Sequence, residues 1–185
     1  MKKQMRPTTV LAPVSAVLVS CGDEKASDIV TIAWAGTVNS EPPMLSISVR
    51  RSRYSYELIC KTGEFVVNLC DLSQLEILDG CGVVSGRDVD KFAKFALTRQ
   101  KCTHVQAPAI EQCPLSIECV VRKTVELETH VMFIAEIVGL TVREEWISGE
   151  KLQIPDGSLM AYVQNRYVET GKTVGTYGFT AKRKN

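Results

Sequence analysis

Two serines and an arginine gather around the expected start of one helix. Ser48 and Arg50 fall on the same face of a β-branched stretch, because side chains alternate along a strand. Ser55 follows beside Tyr56, where Ser52 or Ser55 is placed to cap a helix. A phosphate dianion is bound by an arginine fork, hydroxyls and free N–H groups at a helix start. The segment therefore predicts a phosphate site, and it fits a plain helix cap beside surface charges equally well.

A tryptophan-bearing stretch precedes this segment. Thr31, Ala33 and Ala35 share one face of the expected strand, and Ile32 and Trp34 share the other. Small residues on one face allow a planar ligand to lie close to the backbone and to bond to its amides. The same spacing fits an ordinary strand with a core tryptophan, and spacing alone favours that reading.

The sequence offers little of its own for acid–base or metal chemistry. His104 and His130 are the two histidines, and no Ser-His-Asp order or carboxylate pair stands out. Cys102 and His104 form a C-x-H pair without the second pair of ligands that a metal site needs, so we predict no metal site. If the protein is an enzyme, the chemistry belongs to a cofactor.

Composition narrows the class of protein. The 185 residues predict a single domain over 1–185, and a net charge of +1 gives no electrostatic footprint for nucleic acid. The basic tail, Lys182-Arg183-Lys184, is interpreted as a solvated terminus. Seven cysteines without a C-x-x-C pair indicate a reducing compartment, so we expect a cytoplasmic protein. No apolar run reaches the ~18 residues of a membrane-spanning helix.

The N-terminus has two interpretations. Basic residues precede an apolar stretch, 10–19, that ends in Leu18-Val19-Ser20-Cys21 and is similar to a signal peptide with a lipidated cysteine. The stretch is short, carries Pro13 and is rich in β-branched residues, so we favour a strand.

The remaining pattern predicts a mainly β protein. Pro42-Pro43 marks a turn before the third strand, since proline cannot sit in a central ladder. We expect Gly63 to end the first helix and Asp88 to cap the third. The predicted strands are 10–20, 29–35, 45–50, 64–70, 115–127, 131–142 and 173–180, and the predicted helices are 52–61, 72–78 and 88–96. The segment 146–155 is read as a loop, and 159–168 is ambiguous. Many strands with few helices indicate a closed antiparallel barrel with helical insertions.

An ordered set of motifs gives the chain a family resemblance. From about Pro7 to Gly178 it resembles the flavin reductase-like family, the FMN-binding split barrels, and its flavoredoxin-type members. The motifs are Thr31-Ile32-Ala33-Trp34, Pro42-Pro43, Ile47-Ser48-Val49-Arg50, Tyr54-Ser55-Tyr56 with Ile59, Glu64-Phe65-Val66-Val67-Asn68-Leu69, Ser85-Gly86-Arg87, Asp90-Lys91-Phe92, Pro108-Ala109-Ile110 and Leu115-Ser116-Ile117-Glu118-Cys119.

The resemblance implies an antiparallel, Greek-key split β-barrel with a few inserted helices. It also implies an FMN-binding homodimer. The strand segment against the isoalloxazine ring would be Thr31, Ile32, Ala33 and Trp34. The residues expected to hold ribityl and phosphate are Ser48, Val49, Arg50, Ser55 and Tyr56. Lys91 would add a charge near the phosphate, and Phe92 would lie beside the cofactor.

The implied activity is reduction of flavin by NAD(P)H, with electrons delivered to an acceptor. The alternative is a non-enzymatic FMN electron carrier that a partner protein reduces. Members of the family often carry Gly-Asp-His near Glu128-Thr129-His130, and this chain keeps the histidine alone. His130 is therefore the one catalytic candidate that the resemblance offers. The stretch 131–142 is apolar on both faces, and a second subunit would cover the face that a small barrel cannot use.

Overall fold

A computed structural model describes residues 1–181, which form a mainly antiparallel β protein with few helices. The basic tail singled out above lies outside these residues. The strands are β1 (Val14–Ser15), β2 (Val17–Gly22), β3 (Ser27–Ile32), β4 (Ala35–Ser40), β5 (Pro43–Arg50), β6 (Glu64–Leu69), β7 (Arg99–Gln100), β8 (Ala109–Ile110), β9 (Leu115–Glu126), β10 (His130–Val142), β11 (Ile147–Ser148), β12 (Lys151–Leu152), β13 (Met160–Val163) and β14 (Arg166–Glu169). The helices are α1 (Tyr54–Thr62), α2 (Leu75–Val83) and α3 (Lys91–Lys94), with 3-10 turns at Leu72–Gln74 and Glu144–Trp146.

The main sheet has seven strands in the order β3-β2-β6-β9-β10-β5-β4, all antiparallel. Its two edge strands, β3 and β4, are consecutive in the chain and are joined through Ala33 and Trp34 alone. The sheet must therefore curl until its edges meet at this connection. The predicted mainly β, split-barrel fold is confirmed, and Trp34 lies at the split.

Two hydrophobic cores lie on the two faces of strand β2. Val17, Val19 and Cys21 face the larger core, inside the curled sheet, with α1 packed against it. The alternate residue Leu18 faces a second core under α2 and α3, together with Phe92. Strand β2 is consequently buried on both faces, which explains its continuous apolar run.

Helix α1 ends as predicted but begins differently. Gly63 takes the left-handed conformation, φ 69°, that closes a helix, which confirms the expected stop. The predicted serine cap is wrong, because Arg53 occupies the N-cap and no side chain bonds to the helix start. Ser55 instead donates its hydroxyl hydrogen to Asp28 Oδ2 at 2.6 Å, in the interior.

Several strand boundaries differ from the sequence pattern. The predicted strand 10–20 is two strands, and residues 10–13 lie exposed outside any sheet. The stretch 29–35 divides between β3 and the unpredicted β4, whose Gly36 and Asn39 are weak strand formers. The Pro42-Pro43 turn is confirmed as the β4–β5 hairpin, with Pro43 paired to Ser40 at its end. The predicted strand 173–180 is absent, because its residues lie in irregular structure and turns.

Glycines and caps account for the other corrections. Helix α2 continues through Gly80, where an added Cβ would lie 2.5 Å from the ring of Phe95, so this glycine permits close packing and does not end the helix. Helix α3 is capped by Asp90, not Asp88, since the Asp90 carboxylate accepts the N–H groups of Phe92 and Ala93. The segment 146–155 contains the β11–β12 hairpin, and the ambiguous 159–168 contains the β13–β14 hairpin.

Candidate functional site

Two adjoining cavities open where the curled sheet is split. The smaller, about 170 Å³, lies at the start of α1, and the larger cleft, about 300 Å³, lies along the β3–β4 connection. Arg50 and Arg53 line both of them. The two cavities are therefore neighbours that share a cationic wall.

Positive charge without a carboxylate partner collects at the smaller cavity. Arg50 and Arg53 form no ion pair within residues 1–181, whereas their neighbour Arg51 is paired with Glu126. Helix α1 begins at Tyr54, so its first N–H groups lack helical acceptors and carry the positive end of the helix dipole. The cavity thus combines two guanidinium groups with a helix start, which is a donor set that fits one phosphate group.

A buried charge pair lies at the back of this cavity. Lys91 Nζ lies 3.1 Å from Asp28 Oδ1, and both side chains are almost fully buried. The same ammonium also donates to the carbonyl oxygens of Ile29 and Cys81, the latter at 3.2 Å. Asp28 Oδ2 accepts the hydroxyl of Ser55. Ser55 and Lys91 both line the cavity, but Ser55 donates its hydroxyl hydrogen to Asp28, and Lys91 is ion-paired with Asp28 and donates to two backbone oxygens.

Sequence reasoning missed Asp28, although one signal was present. Aspartate is depleted in strands, yet Asp28 occupies the second position of β3 and is only 3% exposed. The loop after α2 closes on its carboxylate, since a Cβ added at Gly86 would overlap Asp28 Oδ1. A glycine is needed there because the backbone runs directly against the charged group.

The larger cleft brings together most of the residues predicted to face the ring. Trp34 and His130 form one wall, with ring centroids 4.4 Å apart and planes tilted by 40°. Trp34 is 45% exposed, so one aromatic face remains open to a ligand. The predicted residues that line the cleft are Thr31, Ile32, Ala33, Trp34, Ser48, Val49, Arg50 and His130.

Two predicted site residues lie elsewhere. Phe92 is fully buried in the second core, with the Arg99 guanidinium 4.1 Å from its ring centroid, and it lines neither cavity. Tyr56 packs toward Phe133 at 6.1 Å between ring centroids and also lines neither cavity. Their contacts with a cofactor remain predictions, because neither side chain reaches the two cavities.

The surroundings of His130 disfavour its charged form. Its Nδ1 lies 2.8 Å from the Thr129 hydroxyl oxygen, and it is the cross-strand neighbour of Arg50. Burial lowers the pKa of His130 below its usual value, and the positive charge of Arg50 lowers it further. The ring is therefore uncharged at neutral pH, and Nε2 is the nitrogen left for a ligand.

The far wall of the cleft is a hairpin that the sequence left ambiguous. Tyr162 and Tyr167, on β13 and β14, form an edge-to-face pair with centroids 5.7 Å apart. Tyr167 donates its hydroxyl hydrogen to Asp79 of α2 at 3.2 Å, and burial raises its pKa to about 12. This contact ties the hairpin to α2, so two elements that line the cleft are held together.

Metal ligands do not gather in the described part of the chain. Within residues 1–181 there is no group of three or more histidine, cysteine or acidic side chains that could hold an ion, and Cys102 and His104 acquire no third ligand. The helices of these residues include none with the length and apolarity to cross a membrane.

Comparison with known proteins gives a consistent result. The family model described as "Flavin reductase like domain" matches residues 11–171. An uncharacterised protein of Archaeoglobus fulgidus is 31% identical over 140 residues, which is 76% of this chain and 78% of that protein. The FMN reductase (NADH) RutF of Pseudomonas syringae is 24% identical over 104 residues, 56% of each chain.

Solved structures agree over nearly the whole chain. Flavoredoxin of Desulfovibrio vulgaris superposes with a TM-score of 0.89 at 29% identity, covering 98% of this chain and 100% of that one. Flavoredoxin of Methanosarcina acetivorans gives 0.89 at 28% identity, covering 99% of both chains. A split-barrel protein of Shewanella frigidimarina, at 18% identity and a TM-score of 0.79, covers 88% of this chain and 85% of its own and shares the fold.

Proposed function

The chain belongs to the flavin reductase-like domain family, and from this premise we propose that it binds FMN across the two cavities and passes electrons through it. The observation that carries the proposal is the placement of unpaired Arg50 and Arg53 between a phosphate-sized cavity and a cleft walled by Trp34. The names of the flavoredoxins and of the FMN reductase support the same ligand.

The phosphate end of the ligand would lie in the smaller cavity. Two unpaired guanidinium groups match the charge of one phosphate dianion, since Lys91 is already neutralised by Asp28. The cavity of about 170 Å³ has room for one phosphate. This charge balance favours FMN over a dinucleotide such as FAD.

The ring end would lie in the larger cleft, against Thr31 to Trp34. Bound FMN would accept a hydride and release electrons, and that chemistry belongs to the cofactor. The protein would position the ring against the β3–β4 connection and shield it with Trp34 and the hairpin tyrosines. Neutral His130 would offer Nε2 as a hydrogen-bonding group without adding charge to the cleft.

We propose NADH or NADPH as the electron donor and a separate molecule or protein as the acceptor. Support comes from the reductase named among the relatives, and hydride transfer to flavin requires stacking geometry and no protein base. Anaerobic addition of NADH or NADPH to the FMN-loaded chain tests this. Bleaching of the flavin absorption at a rate dependent on the nucleotide concentration supports the reductase.

The second candidate is an FMN electron carrier that a partner protein reduces. The two flavoredoxins, which superpose over the full chain, favour it. A chain that binds FMN but is not bleached by either nucleotide, while chemical reductant bleaches it, would replace the reductase by the carrier.

A cytoplasmic homodimer completes the proposal. One face of β10 is buried in the main core through Val131 and Phe133, whereas Ile134 is half-buried and Leu140 is exposed. Ile134 and Leu140 are the apolar side chains of the outer face that a second copy would cover, beside Glu136, which is paired with Arg122. All seven cysteines are free, which suits a reducing compartment. Light scattering tests the dimer: a mass near the 20.4 kDa of one chain at micromolar concentration would refute it.

A further inference from the structure

Two buried cysteines lie close together behind the wall of the cleft. The sulfur atoms of Cys70 and Cys113 are 4.0 Å apart, and the residues are 2% and 8% exposed. Leu69 and Leu115 are the final pair of the β6–β9 ladder, so the two cysteines stand just beyond strands that are already held side by side. A disulfide needs its α-carbons about 4.4–6.8 Å apart, which is the separation of neighbouring antiparallel strands.

The environment distinguishes the two sulfurs. Gln74 is buried, its Oε1 accepts the N–H of Asp71 at 3.0 Å, and its Nε2 points to Cys113 Sγ at 3.6 Å. The sulfur of Cys113 therefore has two polar neighbours, this amide and the sulfur of Cys70. The hydrogen bond to Cys113, together with burial, raises the pKa of Cys70 far above its usual value. Cys70 therefore stays a thiol at neutral pH, which leaves Cys113 as the sulfur that reacts first.

We propose that Cys70 and Cys113 form a peroxide-sensitive pair that closes to an intramolecular disulfide. The Cys113 sulfur attacks one oxygen of hydrogen peroxide, the O–O bond breaks, and the leaving hydroxide takes the thiol proton of Cys113 to become water. The resulting sulfenic acid is attacked by the Cys70 sulfur, the S–S bond forms, and a second water leaves with the thiol proton. Two thiols are thereby oxidised by two electrons, and one peroxide is reduced to two waters.

The other cysteines supply controls. Cys60 is exposed and will react with peroxide, but no second cysteine sulfur contacts it. Cys81 belongs to the same core as Cys70 and Cys113, and the sulfur–sulfur contact of 4.0 Å joins Cys70 to Cys113. The proposal therefore specifies one pairing out of those that seven cysteines allow.

The test uses the full chain with Cys60→Ser, treated with hydrogen peroxide at a concentration that fully oxidises Cys60 in the wild-type chain. After removal of peroxide, the protein is denatured, alkylated and analysed by intact mass and peptide mapping. We expect two fewer alkylated cysteines, a mass lower by two hydrogens before alkylation, and a linked pair of peptides carrying Cys70 and Cys113. Reductant should restore both thiols.

A second variant separates the roles of the two sulfurs. In Cys70→Ser the disulfide should be lost, and a 1,3-diketone probe should trap a sulfenic acid at Cys113. Peptide mapping of the Cys60→Ser chain leaves both buried cysteines in place, so that test remains valid even when Cys70→Ser does not fold. Full alkylation of every remaining cysteine after peroxide, or a link that involves Cys81, would overturn the proposal.

Discussion

Replacing Arg50 with alanine should weaken FMN binding through the phosphate alone. Arg50 lines both cavities and has no carboxylate partner within the described residues, so its guanidinium is available to the ligand. A hydrogen bond to a charged group contributes about 1.5–3 kcal/mol, which is roughly 10- to 150-fold in the dissociation constant. Because the side chain is exposed, salt screens this contact, and we expect the lower half of that range at physiological ionic strength.

The assay is quenching of flavin fluorescence during titration with the chain, with FMN and riboflavin compared. Riboflavin lacks the phosphate, so the loss for FMN should exceed the loss for riboflavin by about 10-fold or more. Arg51→Ala is the matched control, since Arg51 is an adjacent cation that is paired with Glu126 and lines neither cavity. It should leave the affinity for FMN within about 2-fold, which is below 0.5 kcal/mol.

Two outcomes of the titration would contradict this role for Arg50. Equal losses for FMN and riboflavin in Arg50→Ala would mean that Arg50 shapes the ring cleft and does not bind phosphate. An unchanged affinity in a folded variant would mean that Arg50 is a surface charge and that the phosphate lies elsewhere.

Three further predictions follow from the buried groups. Lys91→Met should lower the free energy of unfolding, measured in urea, by about 3–5 kcal/mol, because it leaves the Asp28 carboxylate buried without its cation. Adding Asp28→Asn should recover much of that loss. A double variant no more stable than the single variant would contradict this. Gly86→Ala should cost about 1–3 kcal/mol by overlap with Asp28, whereas Gly36→Ala, with open space at its Cβ, should not; equal effects would remove the close-packing argument. The pKa of His130 is lower in the folded chain than in the unfolded chain, so the unfolded chain binds this proton more readily. The free energy of unfolding should therefore fall as pH drops below about 6.5, and His130→Gln should reduce this dependence on pH. An unchanged pH dependence in His130→Gln would show that another group causes it.

The local parts of the fold were predictable because short-range rules determine them. Gly63 ends α1 through a left-handed backbone, and Pro42-Pro43 marks the β4–β5 hairpin. The long strands β9 and β10 follow from alternation and from an apolar run. The β4 strand was missed because the ladder to β5 stabilises it against weak local propensity.

The residues that line the cleft along single strands could be predicted from the sequence, but the buried contacts behind them could not. The structure places Thr31 to Trp34 and the face of Ser48 and Arg50 around the larger cleft, since each set depends on one strand, and their contacts with a cofactor remain predictions. The role of Asp28 depends on contacts with Ser55 and Lys91, which are distant in sequence. Propensity and spacing carry no information about such a pairing, so the expected roles of Ser55 in holding the phosphate and of Lys91 as a nearby charge did not anticipate their contacts with Asp28.

Hairpin β13–β14 shows the same limit. Tyr162 and Tyr167 reach the cleft because β13 pairs with β1 and because Tyr167 bonds to Asp79 of α2. Neither contact produces a recognisable pattern of apolar and polar residues in a segment of ten residues. The ambiguity of 159–168 was therefore resolved by long-range pairing and not by its own pattern.

The visible spectrum of the purified chain tests the central claim most directly. After addition of FMN and removal of free ligand by gel filtration, we predict flavin absorption bands that elute with the protein at one flavin per chain, and release of FMN on denaturation. FAD offered in the same way should be retained poorly. A folded chain that elutes without flavin absorption after FMN is added would contradict the account.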